Sequence, residues 1–368
     1  MPPDPELDAV TVDAATLDAV IVGAGVAGLA AARALAAAGR SAVVLEARER
    51  VGGRLRSIHV DEQGARLDLG ATWYWPNEAR VQRLVRALGV ATHAQHRSGD
   101  ALVHSGARSE RIAGNPIDVE SGRFTAGAEA LAEALARALP AGAVRLGVAV
   151  DRIQAVDDRV TAFAGAAAHH GRHLILAVPP ALAVQRIAFE PALPEALVAL
   201  AATTPVWMGA VTKVVARYAT PFWRAHGLAG AAFSQTGPMR EVHDMSGADG
   251  APAALFGFVP ATYVGQPTPT REALLQQLTA LFGAEASAPL DLWIQDWRRE
   301  EFTSPPGVEQ QVNYDRFGDR RYGAAALGGR LHWASTETAF ESPGHIEGAL
   351  AAAERAVAAV TRALDQGA

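Results

Sequence analysis

The feature that most constrains this chain is a glycine motif close to its N-terminus. A short apolar run, Ala19–Val22, is typical of a strand that is buried on both faces. It leads into Gly-x-Gly-x-x-Gly, formed by Gly23, Gly25 and Gly28. In such a motif the first glycine makes a tight turn, the second lets the backbone approach a pyrophosphate, and the third lets a helix pack closely on the strand. The motif therefore predicts a strand, a phosphate-binding loop and a helix in succession.

The residues that follow complete a dinucleotide-binding unit. Leu29–Ala38 predicts a helix that ends at Gly39, a residue suited to the left-handed cap. Ala42–Leu45 predicts a second strand, and Glu46 stands at its carboxyl end, where a carboxylate can accept a hydrogen bond from a ribose 2′-hydroxyl. A plain strand-to-helix turn would leave Glu46 without a role. The stretch therefore predicts a dinucleotide site.

Composition excludes several other kinds of site and partner. The chain has no cysteine, which excludes disulfides, thiolate metal sites, cysteine nucleophiles and cysteinyl–cofactor bonds. A net charge of −6 without charge runs argues against a nucleic-acid or anionic-membrane surface, and no apolar stretch is long enough to span a membrane. Met1–Leu17 has three prolines, four acidic residues and no basic residue, which predicts a disordered leader and not a secretory signal. We therefore expect a cytoplasmic protein.

A second glycine element follows Glu46 and introduces a family resemblance. Gly52 and Gly53 precede Arg54, which suits a loop around a second phosphate with the guanidinium paired to it. Together with the first motif, this element resembles the flavin-containing amine oxidase family, relatives of monoamine and polyamine oxidases. The segment Leu67–Trp73 is similar to the family's Gly-Ala-x-Trp segment, which runs beside the isoalloxazine ring. The resemblance implies that these elements hold FAD, without a covalent bond because cysteine is absent.

The C-terminal part of the chain carries the same resemblance. Ser335–Ala339 is close to the family's Gly-Thr-Glu-Thr-Ala, and Ser342–Gly348 opens a long Ala-rich helix that extends to Leu364. In the family this helix start faces the N1–C2 carbonyl edge of the flavin. His345 stands where amine oxidases usually have a tyrosine of an aromatic cage, and the other half of the cage, expected near Pro306–Gly307, is missing. A catalytic and a structural role for His345 both stay open.

Lys213 is the only lysine in a chain with 33 basic residues. It lies in Met208–Tyr218, whose alternation predicts a strand with Val211, Lys213 and Val215 on one face. Burial readily shifts the pKa of a lysine, and its ammonium can hold a water molecule as a point donor. In the family a lysine ahead of Pro-Phe-Trp, as here ahead of Pro221–Trp223, lies near the flavin N5 and orients a water. The resemblance implies a catalytic Lys213, and an exposed edge lysine is the alternative.

A histidine group, His169, His170 and His173, raises the question of a metal site. His169 and His170 stand between Gly165 and Gly171, His173 follows closely, and the group has no carboxylate neighbour. We therefore expect a solvated loop rather than a metal centre.

The remaining elements are predicted from periodicity and end signals. They are helices over Arg80–Leu88, Ala128–Leu139, within Pro191–Pro205 and over Thr270–Phe282, and strands over Val144–Ile153, Val160–Val178, Leu292–Trp297 and Leu331–Ala334. The family usually has a longer helical insertion where this chain has Gly89–Phe124, so we expect a shallower or more open substrate chamber.

The implied fold is α/β, with α+β character overall, in which a Rossmann-like FAD-binding domain is interleaved with a smaller mixed-sheet substrate domain. We assign residues 18–79, 125–180 and 298–368 to the FAD-binding domain and residues 80–124 and 181–297 to the substrate domain. Lys213 and His345 are the catalytic candidates. The residues assigned to the cofactor are Gly23, Gly25, Ala27, Gly28, Glu46, Ala47, Arg48, Gly52, Gly53, Arg54, Gly70, Ala71, Thr72, Trp73, Val150, Trp297, Thr336, Glu337, His345 and Ile346.

The resemblance implies oxidation of a small-molecule amine or amino acid, with a hydride passing from a substrate carbon to flavin N5 to give an imine. A flavin-dependent desaturase or oxidase acting on carbon–carbon bonds, of the protoporphyrinogen or carotenoid type, is an open alternative. A binding protein with a vestigial flavin site is disfavoured because both ends of the flavin motif are present. A NAD dehydrogenase is disfavoured because Gly-Gly-Arg and Thr-Glu-Thr have no role there. The electron acceptor, O2 or another, and the oligomeric state, a homodimer or not, stay open.

Overall fold

The structure is a computed structural model that describes residues 16–105, 108–260, 268–311 and 313–367. The chain divides into two compact units, each made of discontinuous segments. The first unit takes the described parts of Met1–Gly53, Leu135–Pro205 and Asn313–Ala368, and the second those of Arg54–Ala134 and Val206–Val312. The two units contain about the same number of residues.

The strands are β1 Leu17–Val22, β2 Ala42–Leu45, β3 Ser57–His59, β4 Arg66–Asp68, β5 Trp73–Tyr74, β6 Thr92–Ala94, β7 Asp100–Ser105, β8 Arg108–Ile112, β9 Gly122–Phe124, β10 Val144–Arg145, β11 Arg152–Val156, β12 Arg159–Ala164, β13 Ala167–Leu176, β14 Ala188–Glu190, β15 Thr212–Tyr218, β16 Leu228–Ser234, β17 Glu241–Asp244, β18 Ala253–Val259, β19 Asp291–Asp296 and β20 Leu331–Trp333. The helices are α1 Val26–Ala37, α2 Ala79–Leu88, α3 Glu129–Arg137, α4 Pro180–Arg186, α5 Glu195–Thr203, α6 Phe222–Ala225, α7 Arg271–Phe282 and α8 Ile346–Asp365. None of the helices in these ranges is both long enough and apolar enough to cross a membrane.

The first unit is built on one sheet with the order β10-β2-β1-β13-β12-β11-β14, and β20 pairs with the end of β13. β1 runs parallel to β2, to β13 and, through them, to β10 and β20, as expected of strands joined by crossover helices. Buried side chains from this sheet and from α5 form its core, among them Val20, Val43, Leu174, Leu200 and Trp333. The predicted α/β class and the Rossmann-like start, β1–α1–β2, are confirmed.

The second unit is built on a mixed sheet with the order β19-β15-β18-β17-β16-β7-β8. β15 is an internal strand, antiparallel to β18 on one side and to β19 on the other. One face of this sheet packs on α6 and α7 through Trp223, Leu255, Leu274 and Leu278. α7 begins after Thr270, whose hydroxyl accepts a hydrogen bond from the Ala273 amide at 3.2 Å, so the predicted N-cap is confirmed.

Several predicted boundaries are wrong. Leu17 belongs to β1 and not to a leader, while residues 1–15 of that predicted leader lie outside the described residues. The strand predicted from Met208 begins at Thr212, because Met208 adopts a positive φ of 57°, which an extended strand does not allow. Val144–Ile153 is not one strand, since β10 and β11 lie at different places in the sheet and Val150 lies between them.

The predicted domain boundaries also differ from the two units. Residues 54–79 were expected in the FAD-binding domain, but Leu67 and Leu69 pack on Val215 and Phe256 in the second unit. Residues 125–134 and 298–312 lie there too, and Ser304 Oγ donates to the Gly209 carbonyl at 3.0 Å. Residues 181–205 belong to the first unit because α4 and α5 supply part of its core. These boundaries depend on the tertiary packing of short segments, which the local sequence pattern does not indicate.

The histidine group does not form a solvated loop. His169, His170 and His173 lie on β13, and the side chains of His169 and His173 are buried. Gly165 and Gly171 misled the sequence interpretation, because only Gly165 lies at a turn while Gly171 pairs with Leu17 inside the sheet. His173 Nδ1 lies 3.3 Å from Nε2 of His332 on the neighbouring strand β20.

Candidate functional site

In the first unit the glycine motif forms a tight strand-to-helix connection. Gly23 has φ +100°, and its amide donates to the Leu45 carbonyl at 2.8 Å. A Cβ at Gly28 would lie only 1.9 Å from the Gly23 carbonyl oxygen, so no side chain fits there. The prediction that the third glycine allows close packing of helix and strand is confirmed. This packing places the start of α1 directly at the end of β1.

The second glycine loop lies against the first. The Gly52 amide donates to the Ala24 carbonyl at 2.8 Å, and Gly52 forms a parallel bridge with Gly25. A Cβ at Gly25 would meet no described atom within 4 Å, so the space above this residue is open. No side chain caps α1 at its N-cap, Gly25. Amides of the first helical turn and two glycine loops thus converge on open space, which is the arrangement that a pyrophosphate requires.

Glu46 is buried at the end of β2 and connects that strand to the glycine loop. Its carboxylate accepts hydrogen bonds from the Ala24 amide at 2.7 Å and from the Arg48 amide at 3.0 Å. A carboxylate has about four acceptor positions, so these two bonds leave capacity for a ribose hydroxyl. Ala47 and Arg48 directly follow, and Val150 packs against the core of this unit. Their contacts with a cofactor stay predictions.

The start of α8 is fixed to the turn that follows β20. Thr336 Oγ1 donates to the carbonyl of the N-cap residue His345 at 2.8 Å. A Cβ at Gly348 would lie 2.2 Å from the Ser342 carbonyl oxygen, which explains a glycine inside the first turn of this helix. Arg355 donates to the carbonyls of Thr338 and Trp333 at 2.7 and 2.9 Å and holds the turn from the other end. Sequence reasoning missed Arg355, because a lone arginine on an Ala-rich helix gives no signal of the carbonyls it reaches.

The turn itself is closely packed in the first unit. Thr336, Glu337 and Ile346 are buried, whereas His345 is half-buried. No side chain caps α8, so its first amides point out of the helix end. The first unit therefore brings the two glycine loops and Glu46 together, and it also contains the start of α8. These are the elements that the sequence assigned to the flavin cofactor.

In the second unit Lys213 lies on the internal strand β15 and is 2% exposed. Its Nζ donates to the Gly70 carbonyl at 2.8 Å and to Thr72 Oγ1. The same atom lies 4.4 Å from the ring centroid of Phe256 and 5.8 Å from that of Phe258. Burial lowers the pKa of Lys213 to about 7. The alternative of an exposed edge lysine is wrong.

Two further buried charges surround Lys213. Asp68 accepts hydrogen bonds from Ser57 Oγ at 2.7 Å and from the Ala128 amide at 2.8 Å. Burial raises the pKa of Asp68, although the positive charges of Lys213 and Arg123 oppose this shift. Burial lowers the pKa of Arg123, because it disfavours the charged form of a base as it does that of an acid. Arg123 donates a hydrogen bond to the Ser246 carbonyl at 2.8 Å. The sequence interpretation included Asp68 only as part of the segment that leads to Gly70. Its electrostatic interaction with Lys213 is visible only in the folded structure.

The segment from Arg54 to Trp73 is fixed by backbone pairing. The Ala71 amide donates to the Arg54 carbonyl at 3.1 Å, and a Cβ at Gly70 would lie 2.0 Å from that oxygen. Trp73 Nε1 donates to Gln95 Oε1 at 2.8 Å. The second unit thus brings Gly70, Thr72 and Lys213 into direct contact, as sequence reasoning required of one site.

Trp297 lies just beyond β19, where it opens a short 3-10 turn, and not inside a strand as predicted. It is buried, and its Nε1 donates to the Leu69 carbonyl at 2.9 Å. This bond ties the tryptophan to the segment that ends in Gly70. Its contact with a flavin stays a prediction. Among the described residues no cluster of three or more side chains could hold a metal ion.

Comparison with known proteins gives the family. Residues 26–125 and 118–361 match the family of flavin containing amine oxidoreductases. AofH, a presumed flavin-containing monoamine oxidase of Mycobacterium tuberculosis, is 36% identical over 72% of this chain and 59% of its own length. Putrescine oxidase of Kocuria rosea is 29% identical over 89% of this chain and 91% of its length. The chain thus spans about three-fifths of the length of AofH but most of that of putrescine oxidase.

Solved structures show the same fold. Putrescine oxidase bound to putrescine superimposes with a TM-score of 0.80 and 24% identity, over 95% of this chain and 99% of the other. Cyclohexylamine oxidase from Brevibacterium oxydans gives a TM-score of 0.81 with 22% identity, over 95% and 100% of the two chains. At such identities the likeness establishes the fold alone. Because the family model matches most of the length of this chain, the chain belongs to the flavin-containing amine oxidoreductase family.

Proposed function

We propose that this protein is an FAD-dependent oxidoreductase that oxidises a small-molecule amine to an imine, and that it holds FAD without a covalent bond. The observation that carries the proposal is the buried lysine, Lys213, in contact with Gly70 and Thr72. A lysine with a pKa near 7 can give up or take a proton at neutral pH. Relatives named as monoamine and putrescine oxidases support an amine as the substrate.

The first unit supplies residues that fit the nucleotide part of FAD. The open space at Gly25, the adjoining Gly52 loop and the uncapped start of α1 suit a pyrophosphate. The carboxylate of Glu46 would accept the ribose hydroxyl, since its two protein hydrogen bonds do not exhaust its acceptor positions. The uncapped start of α8 would face the edge of the flavin where negative charge gathers on reduction.

Lys213 would act beside N5 of the flavin. When bound, FAD supplies the two-electron acceptor for the substrate carbon. An ammonium has three N–H groups, and two of those of Lys213 are directed to Gly70 and Thr72. The third N–H, or a lone pair once the amine is neutral, can then hold a water molecule or move a proton. A guanidinium could not do this, because it does not lose its proton in proteins.

The proposal is tested on the purified protein. We expect a yellow protein with a flavin spectrum, and acid precipitation should release the yellow cofactor into the supernatant. Under anaerobic conditions a panel of amines and amino acids should bleach the flavin, and oxygen uptake would then identify O2 as the acceptor. Flavin that stays with the acid pellet would contradict non-covalent binding. Bleaching by a polyene or porphyrinogen, with none by any amine, would favour carbon–carbon oxidation.

A further inference from the structure

Asp68, at the end of β4, is a buried carboxylate to which the proposed function gives no role. It is 1% exposed and lies opposite Ser57 of β3. Its Oδ1 accepts hydrogen bonds from Ser57 Oγ at 2.7 Å and from the Ala128 amide at 2.8 Å. Ser57 is itself fixed by Glu129, whose carboxylate accepts from the Ser57 amide at 2.8 Å and whose amide donates to Ser57 Oγ at 3.2 Å. The carboxylate is therefore held in one position.

This position lies at the N-terminal end of α3. Ala128, which donates to Asp68, directly precedes Glu129, the first residue of the helix. The free amides and the partial positive charge of a helix start favour a negative charge there. Gly127 has φ +76°, and a Cβ at this residue would lie 3.1 Å from Asp68 Oδ1 and 2.5 Å from Ser57 Oγ, so only a glycine lets the chain pass so close. These features favour an ionised carboxylate at Asp68.

A short and rigid segment connects Asp68 to Lys213. The Nζ atom of Lys213 donates to the Gly70 carbonyl at 2.8 Å, two residues after Asp68. The amides of Leu69 and Gly70 both donate to the Arg56 carbonyl, at 2.9 and 3.0 Å, so this segment is fixed. Because two residues span no more than about 7 Å, the amine and the carboxylate lie within range of each other's charge.

Apolar side chains surround the two groups and strengthen their interaction. Leu69, Val215 and Phe256 belong to one buried cluster, and such surroundings screen charges less than water does. Burial lowers the pKa of Lys213, and the charge of Asp68 opposes this effect. Burial raises the pKa of Asp68, and the charge of Lys213 opposes it in turn. Each group thus favours the charged form of the other.

The other neighbours of Lys213 do not supply such a charge. Arg123 is 4% exposed, and its positive charge lowers the pKa of Lys213 further. On the two adjacent strands Phe258 and Gln295 lie opposite Lys213, and neither is ionisable. Of the carboxylates in the described part of the chain, Asp68 is the one that acts on Lys213.

Two further charged groups lie beyond these neighbours, and each has its own partner. Gln295 is hydrogen-bonded to Arg56 and Glu300, which form an ion pair at 2.7 Å. The ring of His243 packs on this region from β17. Burial disfavours its charged form, but hydrogen bonds to two carboxylates, with Asp118 at 2.6 Å, outweigh burial and raise the pKa of His243. These pairs compensate their charges internally.

We propose that Asp68 is a positioning residue for the reaction, whose carboxylate acts as the counter-ion of Lys213 and sets the charge of this amine at neutral pH. The inference rests on the proposed function and deepens it. With a pKa of about 7, Lys213 can hold a water molecule as an ammonium or take up a proton as an amine. Without the charge of Asp68 the amine would be mostly neutral at pH 7 and would have no proton to donate.

The test uses the fact that Lys213 is the only lysine in the chain. Protein produced with lysine 13C-labelled at Cε contains one labelled side chain, and its NMR signal in the holoenzyme reports the protonation of Lys213 directly. Asp68→Asn keeps the size of the side chain and the acceptor Oδ1 but removes the charge. It should lower the midpoint of the lysine titration by about 1 pH unit or more. The pH profile of anaerobic flavin reduction at saturating amine should move to lower pH by the same amount.

A second variant has the opposite expected sign. Arg123→Gln removes the positive charge that opposes Lys213 but keeps an amide donor for the Ser246 carbonyl, and it should raise the midpoint. A general loosening of the fold would admit water and raise the midpoint in both variants. Opposite directions therefore separate an electrostatic effect from a structural one.

A matched control is available beside the same hairpin. Glu133 pairs with Arg66 of β4 at 2.8 Å, but its side chain is 32% exposed, so solvent screens its charge. Glu133→Gln should leave the titration of Lys213 and the pH profile unchanged.

Three outcomes would contradict the inference. An unchanged midpoint in Asp68→Asn, or shifts of Asp68→Asn and Arg123→Gln in the same direction, would refute Asp68 as the counter-ion. A midpoint that moves while the pH profile does not would refute its role in the reaction and leave the proposed function in place. If no amine reduces the wild-type flavin, the proposed function fails and the role in the reaction with it, while the labelled lysine shows separately whether the two charges are paired.

Discussion

The two units hold their buried polar groups by different means. The first unit surrounds open space at Gly25 with backbone amides, and it pairs two buried histidines, His173 and His332, whose pKa values are lowered by burial. The second unit groups buried ionisable side chains with one another, Lys213 with Asp68 and His243 with Asp118. Backbone geometry is dictated locally by glycines, whereas a buried charge depends on partners from distant parts of the chain. The contrast predicts different responses to mutation and to pH.

The largest effect is expected from a side chain on the glycine motif. Gly28→Ala places a Cβ where the Gly23 carbonyl oxygen is 1.9 Å away, so strand and helix must separate. We expect a loss of more than about 3 kcal/mol in the free energy of unfolding, together with loss of FAD. Thermal unfolding and the ratio of flavin to protein absorbance measure both.

The neighbouring glycine provides the control. Gly25 has a negative φ of −71°, and a Cβ there would meet no described atom within 4 Å. Gly25→Ala should therefore fold normally yet bind FAD more weakly, because its methyl group enters the space meant for the pyrophosphate. Normal FAD affinity in Gly25→Ala would contradict a phosphate site at this loop.

The contributions of His332 and His243 to the pH dependence of stability should have opposite signs. Burial lowers the pKa of His332 to about 4. An unfolded chain, with a histidine pKa near 6.5, binds more protons between pH 6.5 and 4, so stability falls as pH falls through this window. The loss attributable to His332 is about 3 kcal/mol at pH 4, and His332→Gln should remove it in unfolding curves recorded from pH 7 to 4.

His243 gives the opposite expectation. Its pKa is raised, so its contribution to stability is fully present below pH 6.5 and is lost as pH rises through its folded-state pKa. His243→Gln should therefore destabilise the protein more in mild acid than at alkaline pH. Parallel curves for His332→Gln and His243→Gln would refute the distinction between neutral and charged burial.

The third prediction concerns the buried lysine. Lys213→Met should retain the fold and FAD content but slow flavin reduction or reoxidation by about 100-fold, equivalent to about 2.7 kcal/mol of barrier. A methionine of similar length fills the space but cannot donate or take a proton. Arg217→Met on the same strand is the control, since Arg217 pairs with Asp291 at the sheet margin and should have little effect. Equal rates for wild type and Lys213→Met in stopped-flow half-reactions would leave the lysine a structural role alone.

The contrast also explains how far the sequence could be interpreted. The glycine loops, Glu46 and the Thr270 cap each depend on spacing within a few residues, so periodicity and end signals were enough to place them. Lys213 was found by its rarity and by the resemblance, because nothing in its local pattern reports the Gly70 carbonyl that it contacts.

Other residues could not be found in this way. Asp118 and Glu241 are 123 positions apart in the sequence and meet only through His243 on β17. The buried histidines of β13 were wrongly predicted to lie in a loop, because a glycine such as Gly171 occurs both in turns and inside strands and the sequence alone does not distinguish the two. The assigned domain boundaries differ from those of the two compact units for a similar reason, since the β3–β4 hairpin joins the second unit through side-chain packing of Leu67 and Leu69.

The position of β20 and α8 has a consequence for the order of events during translation. β20 completes the sheet beside β13, α8 packs against α1, and Arg355 of α8 anchors the turn from Thr336 to Thr338. A nascent chain that has already folded β1, α1 and β2 still lacks the segment assigned to the far edge of the flavin. On the proposed function, stable capture of the cofactor therefore has to wait until β20 and α8 have left the ribosome, long after the glycine loops have formed.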